Sequence, residues 1–539
     1  MRRLTIERHM ARRTLISWLI ALALIGVGML STVPVSADDD AQATEFSASR
    51  AMEHIVEIAQ HPHPMGSSEI VEVRRYLVVE LEGMGLEVDL QISTAPAFYG
   101  GTGTVDVVNV IGWIPGLKNT KAVVLMAHYD THPATPGAND NSAAVAVLLE
   151  AARALQAGPQ YANDIVFLFT DGEEPFPQYG SNAFGAVTEL LDAVGLVVNF
   201  EALGSTGASM LVEVSGPEEW LVNQLASTPA PAAFSFNTQL AKLLGEIGTD
   251  FDVFRDAGVP GFHFAYARGS PIYHTDADDI ASVDPAAVQH HGAHAVGIAR
   301  GFGNIDLTDL PDGRSSVYFT IGSVVIRYPA AVGSALAVLA LVGLGLVLWR
   351  RSLPVIRVLR STGGTMLGLT VGAGAGTAVW MVVAAVRTTP GITESYLYGA
   401  LTLALAGFYA RWVFRRVTNA EAEAEGVVAA WVLLAVVTAP LLPGFGYLFV
   451  WPAVVAIAVL AWRPANMLAG FTAVAVPTLL LATPAIDTFF LFAQPRPGNP
   501  DSELTAAVFV PLTLALLAAA LVGSLARPWV GEEPAASHR

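Results

Sequence analysis

The sequence predicts an α/β protein: a three-layer α/β/α sandwich around a mostly parallel sheet, followed by a multi-span α-helical transmembrane domain. Three observations carry that expectation. Short apolar runs with strand character alternate with helical patterns from about residue 52 to residue 301, the order that builds a parallel sheet covered on both faces. From Tyr328 onward the chain becomes a series of long apolar runs. Acidic residues and histidines fall repeatedly just after predicted strands, where such a sheet keeps its chemistry.

The elements follow in order. Arg2, Arg3, Arg8, Arg12 and Arg13 precede an apolar run from Leu15 to Met29, and Val35-Ser36-Ala37 offers small residues for cleavage before Asp38-Asp39-Asp40. This reads as a signal peptide or a signal anchor over 1–37. Residues 38–50 read as a polar linker. Ile70 to Leu81 has helical spacing, stopped by Gly83 and Gly85. Strands are expected at Val88–Ile92, Val107–Ile114, Ala122–Ala127, Asp164–Thr170, Leu196–Phe200 and Val259–Ala265. Helices are expected at Asn141–Gln156, Ser181–Ala193, near Trp220, at Thr249–Ala257 and at Pro285–Gly301. The α/β domain therefore covers 51–310, with a connector over 311–328 and a transmembrane domain over 329–526.

Spans of about the 20 residues a bilayer needs are expected near 329–349, 365–386, 395–414, 427–442, 446–462, 467–491 and 504–526, about seven in all. Arg350, Arg351, Arg357 and Arg360 follow the first, Arg411, Arg415 and Arg416 end the third, Arg463 ends the fifth, and Arg527 opens a tail over 527–539. With these arginines on the cytoplasmic side, the α/β domain is expected outside, extracytoplasmic or lumenal. Asp487 is the clearest charge within a span. With so few intramembrane ionisable groups, the spans read as an anchor or platform rather than a transporter.

Composition narrows the chemistry. A net charge of −18 leaves no basic face for nucleic acid. Without cysteine, disulfides, thiol catalysis and zinc fingers are excluded, and any metal must be held by His, Asp and Glu. His128 and Asp130 end one strand and Asp140 opens the following helix. Asp171-Gly172-Glu173-Glu174 follows another strand, Glu201 ends a third, and His274 follows a fourth after a loop. Parallel strands bring these ends to one edge. A carboxylate cluster without basic residues repels itself, and divalent metal resolves the repulsion. Two imidazoles with carboxylates suit zinc, with cobalt or manganese as alternatives. Two ions about 3.5–4 Å apart can share a carboxylate and activate one water. Asp140 lies between the strand-end groups and is the expected bridge. Asp130, two residues from His128, is expected to accept from its other ring nitrogen. Of Glu173 and Glu174, one can bind metal while the other takes a proton. His132, His263, His290, His291 and His294 are read as structural, and His61 and His63 as lining the site or shaping a turn.

At these residues, in AHYDTHP, GANDNSAAV, FTDGEE, NFEALGSTG and IYHTDAD, the chain resembles the M28 family of zinc metallopeptidases. Glu201, and SSVYFTIGSVVIRYP before the spans, resemble its membrane-bound branch, which includes endoplasmic reticulum metallopeptidase 1 and the vacuolar membrane protease. The resemblance implies two zinc ions per chain. His128, Asp140 and Glu174 would hold one, and Asp140, Glu201 and His274 the other. Glu173 would be the general base and Asp130 the partner of His128. It implies a membrane-anchored peptidase acting on peptide substrates, in form an aminopeptidase-like exopeptidase. Three rivals are a non-catalytic receptor or scaffold on the same fold, a single-zinc acyltransferase of glutaminyl-cyclase type, and a membrane transporter with an accessory domain. Substrate preference and oligomeric state are not set by any motif.

Overall fold

Eight strands form one twisted sheet in the order β1-β2-β4-β3-β5-β8-β6-β7. They are β1 (Glu87–Pro96), β2 (Thr104–Ile114), β3 (Ala122–His128), β4 (Ile165–Thr170), β5 (Val194–Ala202), β6 (Met210–Ser215), β7 (Ala232–Ala233) and β8 (Gly261–Tyr266). The four central strands β4, β3, β5 and β8 are mutually parallel. Antiparallel pairs flank them, β1 with β2, β2 with β4 and β6 with β8. The computed structural model describes residues 16, 19–34, 41–118, 120–175, 177–228, 232–245, 247–386, 423–462 and 467–492.

The expected three layers follow from the side-chain alternation of the central strands. Val123, Leu125 and Ala127 of β3 join one apolar core with Phe167 and Val198. Helices Ala48–Ile58, Ser68–Gly83, Ala144–Gln156 and Pro285–Phe302 close it. Val124 and Met126 of the same strand join the opposite core with Leu168, Val197, Phe251 and Phe254. Every residue of β3, β4, β5 and β8 is buried. Burial on both faces is why these strands read as unbroken apolar runs rather than alternating ones.

Several expectations shift at their edges. The helix Ala48–Ile58 starts inside the segment read as a linker. Its Ser47 cap and Arg50 both reach the buried Glu150 carboxylate, so this stretch packs as part of the α/β unit. The single helix expected over Ser181–Ala193 is two, Tyr179–Gly185 and Thr188–Ala193. β6 and the helix Ser235–Leu244 lie where no element was read. The connector contains a hairpin of β9 (Ser316–Ile321) and β10 (Val324–Pro329).

The α/β unit covers the described residues of Thr32–Arg327, and a second unit gathers the described residues up to Ser31 with those from Tyr328 on. In this second unit three described helices are long and apolar enough to cross a membrane, Ala330–Arg351, Pro443–Trp462 and Thr472–Phe489. Shorter apolar helices cover Leu19–Leu30 and Glu425–Leu441, and the helix Val355–Val386 covers the expected second span. Asp487 is buried in this unit. The expected spans 395–414 and 504–526, the cleavage motif at Ala37 and the tail lie outside the described residues.

Candidate metal centre

The site sits where the C-terminal ends of β3, β4 and β5 meet. β3 pairs with β5 through Met126 and Asn199, so His128 and Glu201, each two residues further on, stand side by side. The next ligand comes from an irregular turn. Ala138–Ala143 forms one π-type turn before the helix Ala144–Gln156, with Asp140 and Asn141 outside helical backbone angles. Asn139-Asp140-Asn141 is thus not the simple helix cap its composition suggests.

Two triads result. His128 Nε2 lies 3.4 Å from Asp140 Oδ1 and 3.4 Å from Glu201 Oε2. His274 Nε2 lies 3.3 Å from Asp140 Oδ2 and 3.1 Å from Glu174 Oε2. Each triad has the compactness to hold one ion. Asp140 belongs to both, one oxygen facing each imidazole. All five expected ligands are therefore brought together, but the pairing differs from the one the resemblance implied. Glu201 joins His128 because β5 is the strand beside β3. Glu174, four residues past the end of β4, reaches the loop that carries His274.

The donor set fits a metal. Asp140 Oδ2, Glu174 Oε1 and His274 Nε2, all in the second triad, have no hydrogen-bond partner despite being buried. Among the described residues the only cationic partners of Asp140, Glu173, Glu174 and Glu201 are the two histidines. Four clustered carboxylates against two imidazoles leave surplus negative charge in a desolvated place, which is costly without a cation.

The electrostatics record this imbalance. Burial, aided by the charges of Glu201, Asp250 and Glu174, raises the Glu173 carboxyl well above its usual value against the pull of His128. Burial and Asp140 push Glu174 up to about 7. Burial disfavours charge on His274, yet the adjacent carboxylates of Asp140 and Glu174 raise it to about 10. The same opposition, decided by Glu201 and Glu173, raises His128 well above an ordinary imidazole. Asp140 is buried too, but the two imidazoles hold it down at about 2.

A supporting layer fixes these groups. His128 Nδ1 is 3.0 Å from the Asp130 carbonyl oxygen and 3.4 Å from its carboxylate, so Asp130 orients the ring partly through its backbone. Its carboxylate oxygens accept from the amides of Glu173 and Glu174 at 3.0 and 3.2 Å. One buried carboxylate thereby ties the β3 end to the loop after β4. Asn141 Nδ2 donates to Glu201 Oε2 at 3.0 Å, and Asn199 Nδ2 to Glu201 Oε1 at 3.2 Å.

Sequence reasoning missed four residues here. Asp278, inside the quoted IYHTDAD, accepts from Asn139 N and Nδ2 at 2.8 Å and from Asp140 N at 3.1 Å. His132, read as structural, stacks on His274 with centroids 4.7 Å apart, and Tyr273 stacks on its other side at 3.8 Å. Tyr99, from the β1–β2 loop, sets its edge against His132. His274 itself has φ +58, a left-handed backbone that a non-glycine residue adopts only when its surroundings hold it. The motif could have flagged Asp278, since an acid three or four residues beyond a ligand often orients its neighbours. The ring stack had no signal. His290 and His294 hydrogen-bond Ser209 instead of lining the centre, and His63 is buried in a turn held by Thr131.

Asp278→Ala should strand three buried donors beneath Asp140. At about 1 kcal/mol or more for each, the expected loss of unfolding free energy is roughly 3 kcal/mol, read by denaturant titration of the purified protein. A loss under about 0.5 kcal/mol would show that Asp278 does not hold the turn.

Residues 109–299 match the model of Peptidase family M28. Endoplasmic reticulum metallopeptidase 1 of Rattus norvegicus is 29% identical over 337 residues, covering 57% of this chain and 37% of its own. Vacuolar membrane protease of Candida albicans (strain SC5314) is 29% identical over 259 residues, covering 47% and 30%. Residues 109–299 thus carry a peptidase family M28 domain, and the chain is similar to these membrane-named relatives. It spans well under half the length of these curated relatives. Among solved structures, an aminopeptidase from Aneurinibacillus sp. strain AM-1 aligns over 51% of this chain and 99% of its own, at 15% identity and a TM-score of 0.41. Fimbriiglobus ruber glutaminyl cyclase aligns over 49% and 97%, at 19% identity and 0.39.

Proposed function

We propose that the chain is a membrane-anchored, two-zinc exopeptidase that removes residues from the free amino end of peptides. The observation that carries this reading is Asp140, a single carboxylate facing both imidazoles within two otherwise separate triads. His128 and Glu201 would complete one zinc site, and Glu174 and His274 the other. An acid-rich centre without lysine or arginine partners among the described residues favours a substrate ammonium over a substrate carboxylate. The arginines that follow the apolar helices support an extracytoplasmic or lumenal peptidase unit.

Zinc bound there would supply Lewis acidity, polarising the scissile carbonyl and acidifying the attacking water. Glu173 lies beside the first triad, 4.0 Å from His128 Nε2. That position suits a carboxylate that takes the water proton and returns it to the leaving nitrogen. Asp130 keeps Glu173 and Glu174 in place through their amides. Tyr273 and His132 clamp the His274 ring so that its Nε2 points at Asp140 and Glu174.

The test is cleavage of a free-amine peptide library beside the same library N-acetylated, with metal content measured in parallel. Sequential release from the free amino end, with acetylated peptides spared, is expected. Equal cleavage of both libraries, or release from the carboxyl end, overturns the exopeptidase reading. One zinc per chain would favour a single-zinc acyltransferase.

A pH effect follows. Metal ligands must be deprotonated to bind. In the metal-free protein at pH 7, His274 (about 10) and His128 carry protons, and Glu174 (about 7) is half protonated. Zinc uptake should therefore release about two protons or more, and affinity should rise with pH through the neutral range. Calorimetry in buffers of different ionisation enthalpy counts them. Uptake without proton release would contradict this electrostatic picture.

A further inference from the structure

The helices Ala330–Arg351 and Pro443–Trp462 line an open groove of about 580 Å³, within the size range of small-molecule sites. Its walls are apolar, formed by Leu346, Val347, Ile457 and Leu460, and Arg350 and Arg351 stand at its rim. The two arginines are not equivalent. Arg351 pairs with Glu425 and donates from Nη2 to the Leu460 carbonyl at 2.5 Å. Arg350 is exposed and has no ion pair or hydrogen bond among the described residues. The rim thus carries one positive charge more than Glu425 balances.

Depth follows from the neighbouring residues. Trp349 and Trp462 end the same two helices, and each is 76% exposed. Exposed tryptophans at the ends of spanning helices belong at headgroup level. Arg350, adjacent to Trp349, then lies where lipid phosphates lie, and the apolar walls run inward to acyl-chain depth. A cationic rim over an apolar groove complements one chemistry, an anionic head on a hydrocarbon chain. A free phosphate would leave the walls unused.

We propose that this groove binds an anionic glycerophospholipid, with its phosphodiester on Arg350 and an acyl chain along Leu346, Val347 and Ile457. The proposal rests on these helices spanning a bilayer and is independent of the metal centre.

The test is native mass spectrometry of the full chain, delipidated in detergent and then offered phosphatidylglycerol or phosphatidylcholine. One phosphatidylglycerol should be retained about fivefold better than phosphatidylcholine, the effect of one arginine at an anionic surface. Arg350→Gln should abolish that preference and Arg350→Lys should keep it. Leu346→Trp, which fills the groove and leaves the charge, should lose the bound lipid, a second route should Arg350→Gln fail to fold. Excess inorganic phosphate should leave the adduct intact. Equal retention of the two lipids by the unaltered protein, an unchanged preference in Arg350→Gln, or displacement by phosphate would each overturn the proposal.

Discussion

Glu173→Gln is expected to keep both zinc ions and to lose about 10³-fold in peptide hydrolysis. The side chain belongs to neither triad, so its loss removes no metal ligand. The replacement is isosteric, and the Glu173 amide still donates to Asp130, so the loop keeps its shape. What disappears is a carboxylate beside the first triad that is free of metal binding and able to accept a proton. Initial rates on a free-amine peptide, with zinc counted on the same sample, check this. Near-normal turnover with full metal would remove Glu173 from its role, and a low metal count would make it a ligand.

Asp140→Ala is expected to empty both sites, whereas His274→Ala should empty one. Each Asp140 oxygen faces a different imidazole, at 3.4 and 3.3 Å, so its removal leaves two incomplete pairs. The same geometry predicts that Glu174→Ala resembles His274→Ala and that Glu201→Ala disturbs the His128 site, the reverse of the pairing implied by family resemblance alone. Elemental analysis distinguishes these variants, and circular dichroism confirms that they remain folded. Retention of one full zinc equivalent by Asp140→Ala would show that it serves a single ion.

How much of this was legible in the sequence depended on distance along the chain. His128, Asp140, Glu173, Glu174, Glu201 and His274 stand at or just after strand ends, and the parallel centre of the sheet gathers them as expected. The pairing was not legible, because it depends on lateral strand order. Only the arrangement β4-β3-β5 puts Glu201 beside His128, and nothing local in NFEALGSTG reports a neighbour over seventy residues away. Asp130, two residues from His128, reads as its partner. That its carboxylate also accepts two amides from the Glu173 loop follows from a contact spanning 43 and 44 residues. His132 carries no sequence signal, because a lone histidine in a loop is usually incidental and its stack on His274 crosses 142 positions. The linker boundary failed for the same reason. Ser47 and Arg50 look like surface polar residues until the buried Glu150 they satisfy, a hundred residues on, is seen.

The shared carboxylate is tested most directly by titrating metal-free full-length protein with zinc under calorimetry, followed by elemental analysis of the product. Two equivalents per chain, falling to one in His274→Ala and to none in Asp140→Ala, is the predicted result. A single equivalent in the unaltered protein, unchanged by His274→Ala, would contradict the two-ion centre.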